Sequence, residues 1–242
     1  MNEFYNLKVI DKQKLTPESV SITLKIPEEL KDIFKFKPGQ FVMVEKEING
    51  QNLRRYYSIY NSPDESNNLK LGIKFKGQDG FANYVMHKLQ PGELLQVSAP
   101  MNDVPFDLDA GQKKNFLGIT IGSGITPFYS YLQYLTKHMP HTKMVLIYGN
   151  DSPEKTMFYN ELKSLAQQYP DQVKVYFVYS KSDQGDYKGR INKDIIQSVL
   201  EQENAGFDGV YMIGPDDLKK TAAQTLVESG IPTEHLHYRV YS

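Results

Sequence analysis

Cysteine is absent from this chain of 242 residues, and so is tryptophan. Without thiols the chain cannot form disulfides, thiolate zinc sites, a cysteine nucleophile or an iron–sulfur cluster held by its own cysteines. Charge of one sign is also lacking, because 28 Lys and Arg residues are balanced by 29 Asp and Glu residues, a formal net charge of −1. A chain without a strong field of either sign is not expected to bind nucleic acid or anionic membranes.

Long apolar runs are lacking too. No run approaches the roughly 18 apolar residues that a membrane helix needs, and the first residues do not show the basic and apolar pattern of a secretory signal. We therefore expect a cytoplasmic protein without membrane insertion. With 40% hydrophobic and 24% charged residues, the composition is that of a globular chain with one large domain or two compact ones.

The spacing of apolar residues indicates two halves. Up to about residue 105, turn residues separate six apolar runs of strand length, and one helical segment lies at Phe81–Leu89. In Val20–Ile26 apolar and polar residues alternate strictly, as in a strand with one buried face. Because closure removes exposed edges, we predict a six-stranded antiparallel β-barrel. The predicted strands are Tyr5–Ile10, Val20–Ile26, Phe41–Ile48, Tyr56–Tyr60, Leu69–Phe75 and Leu94–Ser98.

From Phe116 onward, apolar strands alternate with helical segments, which predicts a doubly wound parallel sheet in an α/β domain. We predict a barrel domain at 1–106, a polar linker at 107–115 and an α/β domain at 116–242, with a ligand in the cleft between the domains. The predicted strands are Phe116–Ile121, Met144–Tyr148, Val173–Tyr179, Val210–Ile213 and a last strand at His235–Tyr241; the predicted helices lie near Pro127–Lys137, Met157–Gln168, Lys193–Gln202 and Asp216–Ser229.

Two segments have the residue types of a cofactor site. Gly122-Ser123-Gly124-Ile125-Thr126-Pro127 follows a predicted strand and opens a helix, where glycines let an anion approach the backbone and the helix N-terminus attracts it. In Arg54–Ile59, alternation places Arg55 and Tyr57 on one strand face and Tyr56 and Ser58 on the other. A guanidinium suits a pyrophosphate. An ordinary glycine-rich turn and a tyrosine-rich surface strand are the alternatives, and each segment alone leaves both interpretations open.

Taken together, these segments resemble the ferredoxin–NADP reductase family of flavin oxidoreductases. Arg55-Tyr56-Tyr57-Ser58 is similar to the R-x-Y-S flavin motif of that family, and Gly122–Pro127 resembles its G-[ST]-G-x-[ST]-P nicotinamide turn. The resemblance extends over essentially the whole chain and implies a barrel that binds FAD followed by a sheet that binds NAD(P)H. Further similar segments fall at matching intervals, namely Pro38-Gly39-Gln40-Phe41, Leu89–Glu93, Ala99-Pro100 and Gly214-Pro215.

The resemblance also implies roles for individual residues. Arg55 would bind the FAD pyrophosphate, Tyr57 would pack on the isoalloxazine and Ser58 would approach flavin N5. Tyr57, Ser58 and the near-terminal Tyr241 are the predicted catalytic residues, although a frayed terminal tyrosine is an equally good interpretation of Tyr241. The predicted cofactor-binding residues are Arg55, Tyr56, Tyr57, Ser58, Ile73, Lys74, Phe75, Gly80, Phe81, Ala82, Asn83, Gly122, Gly124, Thr126, Pro127, Ser180, Lys181, Arg190, Gly214 and Pro215.

Some positions depart from the family pattern or bear on the nucleotide. Ala82 replaces the usual Ser or Thr of the flavin pyrophosphate turn, Ile213 replaces a Cys and Arg239 an acidic residue. Lys181 and Arg190 stand where NADP-dependent members often carry basic residues, so they favour NADPH, unless they are merely solvated surface charges.

Three functions remain open. The first is an FAD-containing NAD(P)H reductase that passes electrons to a separate acceptor, which could be a ferredoxin, a flavodoxin, an oxygenase component or a small molecule. The second, which Ala82 favours, is a reductase that uses flavin as a substrate. The third, for which Ile213 and Arg239 are the support, is a non-catalytic flavin-binding subunit. None of them needs a metal, and no third ligand is near His235 and His237 in the sequence.

Overall fold

A computed structural model describes residues 3–75, 77, 80–101, 106–204 and 206–238. The chain forms two compact units, one comprising Met1–Pro105 with Thr126–Tyr134 and the other Phe106–Ile125 with Leu135–Ser242. The first unit contains a six-stranded antiparallel sheet and the second a six-stranded parallel sheet. The predicted fold class is therefore confirmed. Within the described ranges, no helix is both long enough and apolar enough to cross a membrane.

The antiparallel sheet closes on itself. Its strands are hydrogen-bonded in the order fourth, third, sixth, first, second and fifth along the chain. A bridge between Ile59 and Leu71 joins the two end strands, and the Tyr60 N–H donates to the carbonyl oxygen of Lys70 at 3.0 Å. The elements are β1 (Phe4–Thr16), β2 (Ser19–Lys25), β3 (Phe41–Ile48), β4 (Gln51–Ser58), β5 (Asn68–Lys74), α1 (Gly80–His87) and β6 (Leu94–Ser98).

Strand β4 begins five residues before the predicted Tyr56. A two-residue turn at Asn49 and Gly50, with φ of 53° and 75°, reverses the chain so that Ile48 pairs with Gln51. Positive φ at both positions is typical of tight hairpins. The first half of β4 is polar and exposed, and apolar periodicity therefore missed it. From this half only Leu53 packs against the barrel core.

The second part of the chain alternates strands and helices. The elements are β7 (Lys114–Ile121), α2 (Ile125–His138), β8 (Thr142–Asn150), α3 (Tyr159–Gln168), β9 (Val173–Tyr179), β10 (Tyr187–Lys188), α4 (Lys193–Glu203), β11 (Gly209–Ile213), α5 (Asp216–Glu228) and β12 (Leu236–Tyr238). The parallel sheet has the strand order β10-β9-β8-β7-β11-β12. From β7 the chain adds strands on one side and then returns to add two on the other, so the switch point lies between β7 and β11. β10 escaped sequence prediction because it has only two residues.

The segment that enters the second unit is anchored to β11. Phe106 is buried and its ring lies 4.7 Å from that of Tyr211, while the Asp107 N–H donates to the Tyr211 hydroxyl at 3.0 Å. The Asp107 carboxylate also pairs with Lys114 at the start of β7. The two ends of the stretch predicted as a linker, 107–115, are therefore held at the parallel sheet, while residues 109–113 are exposed.

Two histidines of the last strand region have structural contacts. The His235 Nδ1 lies 3.0 Å from the carbonyl oxygen of Phe207, and the His237 ring stacks on that of Tyr211 at 4.9 Å. Within the residues that the structure describes, no group of three His, Asp or Glu side chains could hold a metal ion.

Candidate cofactor site

Strand β4 sorts its side chains onto two faces, as alternation predicts. Arg55 pairs with Val44 and Tyr57 with Val42, two fully buried residues of β3. Leu53 and Tyr57 pack against the barrel core, so Arg55 between them lies on the same face. Tyr56 belongs to the other face and is 65% exposed.

The first turn of α1 lies beside this inner face of β4. A Cβ atom at Gly80 would be 3.1 Å from the Leu53 Cδ1, and the Phe81 ring centroid is 5.7 Å from that of Tyr57. Arg55, which stands between Leu53 and Tyr57 along the strand, therefore neighbours the N-terminus of α1. A guanidinium beside a helix N-terminus favours an anion through charge and through backbone N–H groups. These residues fit the pyrophosphate of a dinucleotide such as FAD.

The Pro38–Phe41 segment supports the end of β4. Gly39 adopts a φ of 86° in this turn, and the Gln40 carbonyl accepts the Ile59 N–H at 2.9 Å. Phe41 pairs with Ser58, which is half-buried. The Ser58 hydroxyl is thereby held at the last position of the strand, next to the bridge that closes the barrel.

Other predicted flavin residues lie at different depths. Ile73 and Ala82 are buried in the barrel core, so only their backbones could reach a ligand. Lys74 is half-buried at the end of β5, and the Phe75 ring meets the His87 ring edge-on at 6.0 Å. Asn83 is exposed.

The glycine turn after β7 has no room for larger residues. A Cβ atom at Gly124 would overlap with the Thr120 Oγ1 and would be 2.8 Å from the Ile213 carbonyl oxygen. The same Thr120 hydroxyl donates to that carbonyl at 2.7 Å, which joins β7 to β11 at the switch point. Gly122 adopts a φ of 54°, which glycine reaches without strain. The packing around Gly124 and the positive φ of Gly122 therefore both require glycine in this turn.

The neighbouring strand ends in a second tight glycine. A Cβ atom at Gly214, which directly follows β11, would be 2.9 Å from the Leu218 Cδ2. Pro215 is exposed and precedes α5. Since the carboxyl ends of β7 and β11 are adjacent, Gly122–Gly124 and Gly214-Pro215 lie at one edge of the sheet, where open α/β sheets bind dinucleotides.

A buried tyrosine hydroxyl binds the backbone of the glycine turn. The Tyr148 hydroxyl donates to the Gly122 carbonyl oxygen at 2.9 Å. Burial raises the pKa of Tyr148, so its hydroxyl remains a donor at neutral pH. Thr126 and Pro127 are buried in the first turn of α2. Any contact that they make with a nucleotide is therefore limited in area.

Helix α2 also packs on the residues that follow β4. In the first compact unit, the Ser130 hydroxyl donates to the Asn61 carbonyl oxygen at 2.8 Å and the Gln133 amide donates to that of Tyr60 at 2.9 Å. The rings of Tyr60 and Tyr129 lie 6.2 Å apart. Sequence reasoning missed these contacts, because nothing in a local pattern predicts which distant carbonyl a buried serine will bind.

The two cations predicted to bind a phosphate, Lys181 and Arg190, follow β9 and β10 at the carboxyl edge of the parallel sheet. The Ser180 hydroxyl and the Lys181 ammonium both donate to the Asp151 carboxylate at 2.9 Å, and these bonds lower the pKa of Asp151. The Gly189 N–H donates to the Tyr179 carbonyl oxygen, which places the exposed Arg190 near this pair. Sequence reasoning missed Asp151, although an acid directly after a parallel strand was a usable signal. Arg239 and Tyr241 lie outside the described residues.

Known proteins share this organisation. Residues 6–106 match the model of the oxidoreductase FAD-binding domain, and residues 119–224 match that of the oxidoreductase NAD-binding domain. The chain is 28% identical over 243 residues to one subunit of the 1,2-phenylacetyl-CoA epoxidase from Escherichia coli, covering 98% of this chain and 67% of the relative. It is 27% identical over 253 residues to a flavohemoprotein of Oceanobacillus iheyensis, covering 98% of this chain but only 59% of the relative.

A solved structure of similar fold carries the expected cofactors. The ferredoxin–NADP reductase of Neisseria gonorrhoeae, with bound FAD and NADP, superposes with a TM-score of 0.79 over 95% of this chain and 93% of that chain, at 18% sequence identity. The two domain matches leave only residues 1–5, 107–118 and 225–242 uncovered. The chain belongs to the oxidoreductases that have an FAD-binding domain followed by an NAD-binding domain, and it shares the fold of the ferredoxin–NADP reductase from Neisseria gonorrhoeae.

Proposed function

We propose that this protein is an NAD(P)H-dependent flavoprotein reductase that carries FAD and delivers electrons to a separate acceptor component. The observation that carries the proposal is the pair of anion-binding features, one in each unit: Arg55 beside the N-terminus of α1, and the glycine turn at the switch point of the parallel sheet. Two dinucleotides, one for each unit, account for both features.

On the flavin side, Arg55 and the first-turn N–H groups of α1 would hold the pyrophosphate. The Tyr57 ring would cover the flavin, and the Ser58 hydroxyl would donate to a ring nitrogen. On the nucleotide side, the backbone of Gly122–Gly124 would hold the second pyrophosphate and Gly214-Pro215 would flank the nicotinamide. When bound, the nicotinamide supplies a hydride and the flavin accepts its two electrons, while the protein contributes binding and orientation.

The acceptor is proposed to be another protein. The relative from Escherichia coli is by its name one component of an epoxidase, and a reductase of that kind would serve an oxygenase component. A ferredoxin or a flavodoxin is the alternative protein acceptor. These 242 residues include no cysteine with which to hold an iron–sulfur cluster, so they cannot themselves supply one to the electron path.

Anaerobic titration of the purified protein with NADH and with NADPH tests the proposal. We expect a yellow protein that retains FAD through gel filtration, and we expect one equivalent of reduced nucleotide to bleach the flavin absorbance. Subsequent addition of an oxidised acceptor protein should restore the absorbance before oxygen is admitted. Flavin that stays oxidised with both nucleotides contradicts the proposal and favours a non-catalytic flavin-binding subunit.

A second candidate is a reductase that uses flavin as a diffusible substrate. The observation in its favour is that Ala82, in the first turn of α1, has no hydroxyl to offer a flavin pyrophosphate. This candidate predicts a colourless purified protein. It also predicts that oxidation of NADH or NADPH begins only when flavin is added, and that its rate saturates with flavin concentration.

A further inference from the structure

A lysine of the first strand binds the carboxyl end of helix α1. The Lys12 ammonium donates to the carbonyl oxygens of Met86 and Leu89, both at 3.1 Å. These carbonyls belong to the last turn of α1 and to the residues that follow it, where a helix leaves its carbonyl groups without partners of its own. Lys12 is half-buried and precedes the two residues by 74 and 77 positions. The end of the helix is therefore held by a contact between distant parts of the barrel chain.

An irregularity in β1 turns this lysine toward the helix. Leu7 and Val9 face the barrel core and are fully buried. Beyond Val9 the register with β2 shifts, which leaves Ile10 as an extra residue that is 41% exposed. The shift exchanges the two faces of the strand, so that Lys12 pairs with the fully buried Ile22. A bulge of this kind re-aims the side chains that follow it.

Helix α1 depends on its surroundings because it is short. It has eight residues, which is about two turns and too few for a helix to be stable by itself. One face of the helix is anchored in the barrel core by three buried side chains, namely Phe81, Ala82 and Val85. The Tyr84 hydroxyl adds a bond to the Glu93 carboxylate. These contacts hold the side of the helix, whereas Lys12 holds its carboxyl end.

The charges near Lys12 leave its ammonium available to the helix carbonyls. Burial lowers the pKa of Lys12, whereas the Glu93 carboxylate raises it. The same carboxylate pairs with the Lys46 Nζ at 3.3 Å and accepts the Tyr84 hydroxyl. Two ammonium groups thus lie near one carboxylate, and the carbonyl dipoles at the end of α1 supply the further negative potential that Lys12 binds.

We propose that Lys12 is a positioning residue for FAD, which holds α1 so that the N–H groups of its first turn stay in place for the pyrophosphate. The proposal rests on the proposed function, because it concerns the flavin of that site. Helix α1 is about 12 Å long, so Lys12 acts through the helix and does not touch the phosphates. A cation at the carboxyl end stabilises the helix. Protein in which the helix is displaced does not bind FAD, and the apparent affinity falls by that fraction.

Displacement of FAD by riboflavin from the purified holoprotein tests this inference. Riboflavin carries the isoalloxazine but no phosphate, so it competes without using the first turn of α1. Lys12→Met removes the ammonium and should lower the riboflavin concentration that displaces half of the FAD by about tenfold. Lys12→Arg keeps a charged donor and should stay within about threefold of wild type. A barrel that is only less stable would lose both flavins alike and leave this concentration unchanged.

Lys14→Met is the matched control. Lys14 follows the bulge on the same face of β1 as Lys12 and is exposed, so its loss should leave the half-displacement concentration unchanged. The proposal is overturned if Lys12→Met competes like wild type or if Lys14→Met has the same effect as Lys12→Met. If Lys12→Met does not fold, Lys12→Gln keeps one donor and should lower the concentration about threefold. A value equal to wild type in Lys12→Gln then overturns the proposal.

The positioning role and the proposed function fail in different ways. Wild-type protein that holds no flavin overturns the proposed FAD-carrying reductase and the role of Lys12 with it. Holoprotein that NADH or NADPH reduces, together with equal half-displacement concentrations in wild type and Lys12→Met, overturns the positioning role alone and leaves the reductase function intact.

Discussion

In the barrel, the predicted flavin residues Arg55 and Tyr57 are side chains that leave one face of a strand, whereas in the parallel sheet the predicted nucleotide residues include glycines that can contribute only backbone, namely Gly122, Gly124 and Gly214. Arg55 and Tyr57 stand on β4, and the strand would keep its main-chain pairing with β3 if either were shortened. Gly124 and Gly214 lie where a Cβ atom would be within 3 Å of a neighbouring atom. We therefore expect that a substitution such as Arg55→Ala in the first unit can weaken ligand binding without destabilising the fold. A substitution at a site glycine of the second unit should affect both together.

This difference follows from the two architectures. An antiparallel barrel has one packed face per strand, so a strand end can present a side chain to a ligand while its neighbours fill the core. A parallel sheet is covered on both faces, and ligands meet it only at the carboxyl edge, where loops and helix N-termini begin. Gly124 and Gly214 are needed there because a side chain at either position would collide with neighbouring protein atoms.

Gly124→Ala should have the largest effect of any substitution in either unit's site. The added Cβ would overlap with the Thr120 Oγ1 and would be 2.8 Å from the Ile213 carbonyl oxygen, so the bond that joins β7 to β11 must break or the turn must move. We expect the free energy of unfolding to fall by about 3 kcal/mol, together with loss of nucleotide binding. Denaturant unfolding and calorimetry with NAD⁺ measure the two effects.

Gly206→Ala is the matched control for this change. Gly206 has no heavy atom within 4 Å of an added Cβ and does not adopt a positive φ, so its substitution should change stability by no more than about 0.5 kcal/mol. If Gly124→Ala is as stable as Gly206→Ala and still binds nucleotide, the coupling of folding and recognition in the second unit is wrong.

The sequence predicts the strands β7 and β11 better than it predicts the hydrogen bond from Thr120 to Ile213 that joins them beside Gly124. The apolar runs at β7 and β11 are evident because both faces of these strands are buried, and the glycine turn is evident from its residue types. The contact depends on register, which pairs Thr120 with Ile213 across strands that are far apart in the chain. Local patterns do not contain that information. For the same reason, the hydrogen bonds that Ser180 and Lys181 donate to Asp151 escaped prediction.

Glu203→Gln tests whether the two edges of the parallel sheet have separate roles. The Glu203 side chain is 2% exposed and accepts bonds from Lys143 at 2.7 Å and Lys174 at 2.8 Å, at the amino ends of β8 and β9. The Tyr176 hydroxyl also donates to it. Loss of the charge leaves two lysines without their anion, and we expect unfolding to become easier by about 2–3 kcal/mol. Affinity for NAD⁺ should not change, because the glycine turn lies at the opposite edge.

The pH dependence of stability gives a second test of Glu203. Burial opposes ionisation, but the bonds from Lys143, Lys174 and Tyr176 outweigh it and lower the pKa from 4.5 to about 2. A lowered pKa in the folded state means that the stabilisation is complete above pH 4.5 and is lost as the pH falls toward 2. Acid unfolding curves of Glu203→Gln should lack the loss of stability that protonation of Glu203 causes between pH 4.5 and pH 2. A variant with the same acid dependence as wild type would show that Glu203 is not its source.

Arg55→Ala should have the smallest effect on stability and the most selective effect on binding. Its neighbours Leu53 and Tyr57 would still pack on the core, so the melting temperature of flavin-free protein should change little. The loss of charged hydrogen bonds to a pyrophosphate weakens FAD binding by about 1.5–2 kcal/mol, or roughly 10- to 30-fold. Fluorescence titration of flavin-free protein with FAD measures this change.

Arg54→Ala is the natural control for Arg55, because it removes the adjacent guanidinium from the other face of β4. Arg54 pairs with Glu45 and lies 5.3 Å from the centroid of the Phe4 ring, so its loss should cost a little stability and leave FAD affinity unchanged. A loss of FAD affinity in Arg55→Ala but not in Arg54→Ala would show that the inner face of β4, and not its outer face, contributes to FAD binding. If both variants lose FAD affinity equally, the net charge of the strand and not the inner face of β4 holds the cofactor. In that case the barrel does not bind its ligand through side chains of one strand face, and its contrast with the parallel sheet is wrong.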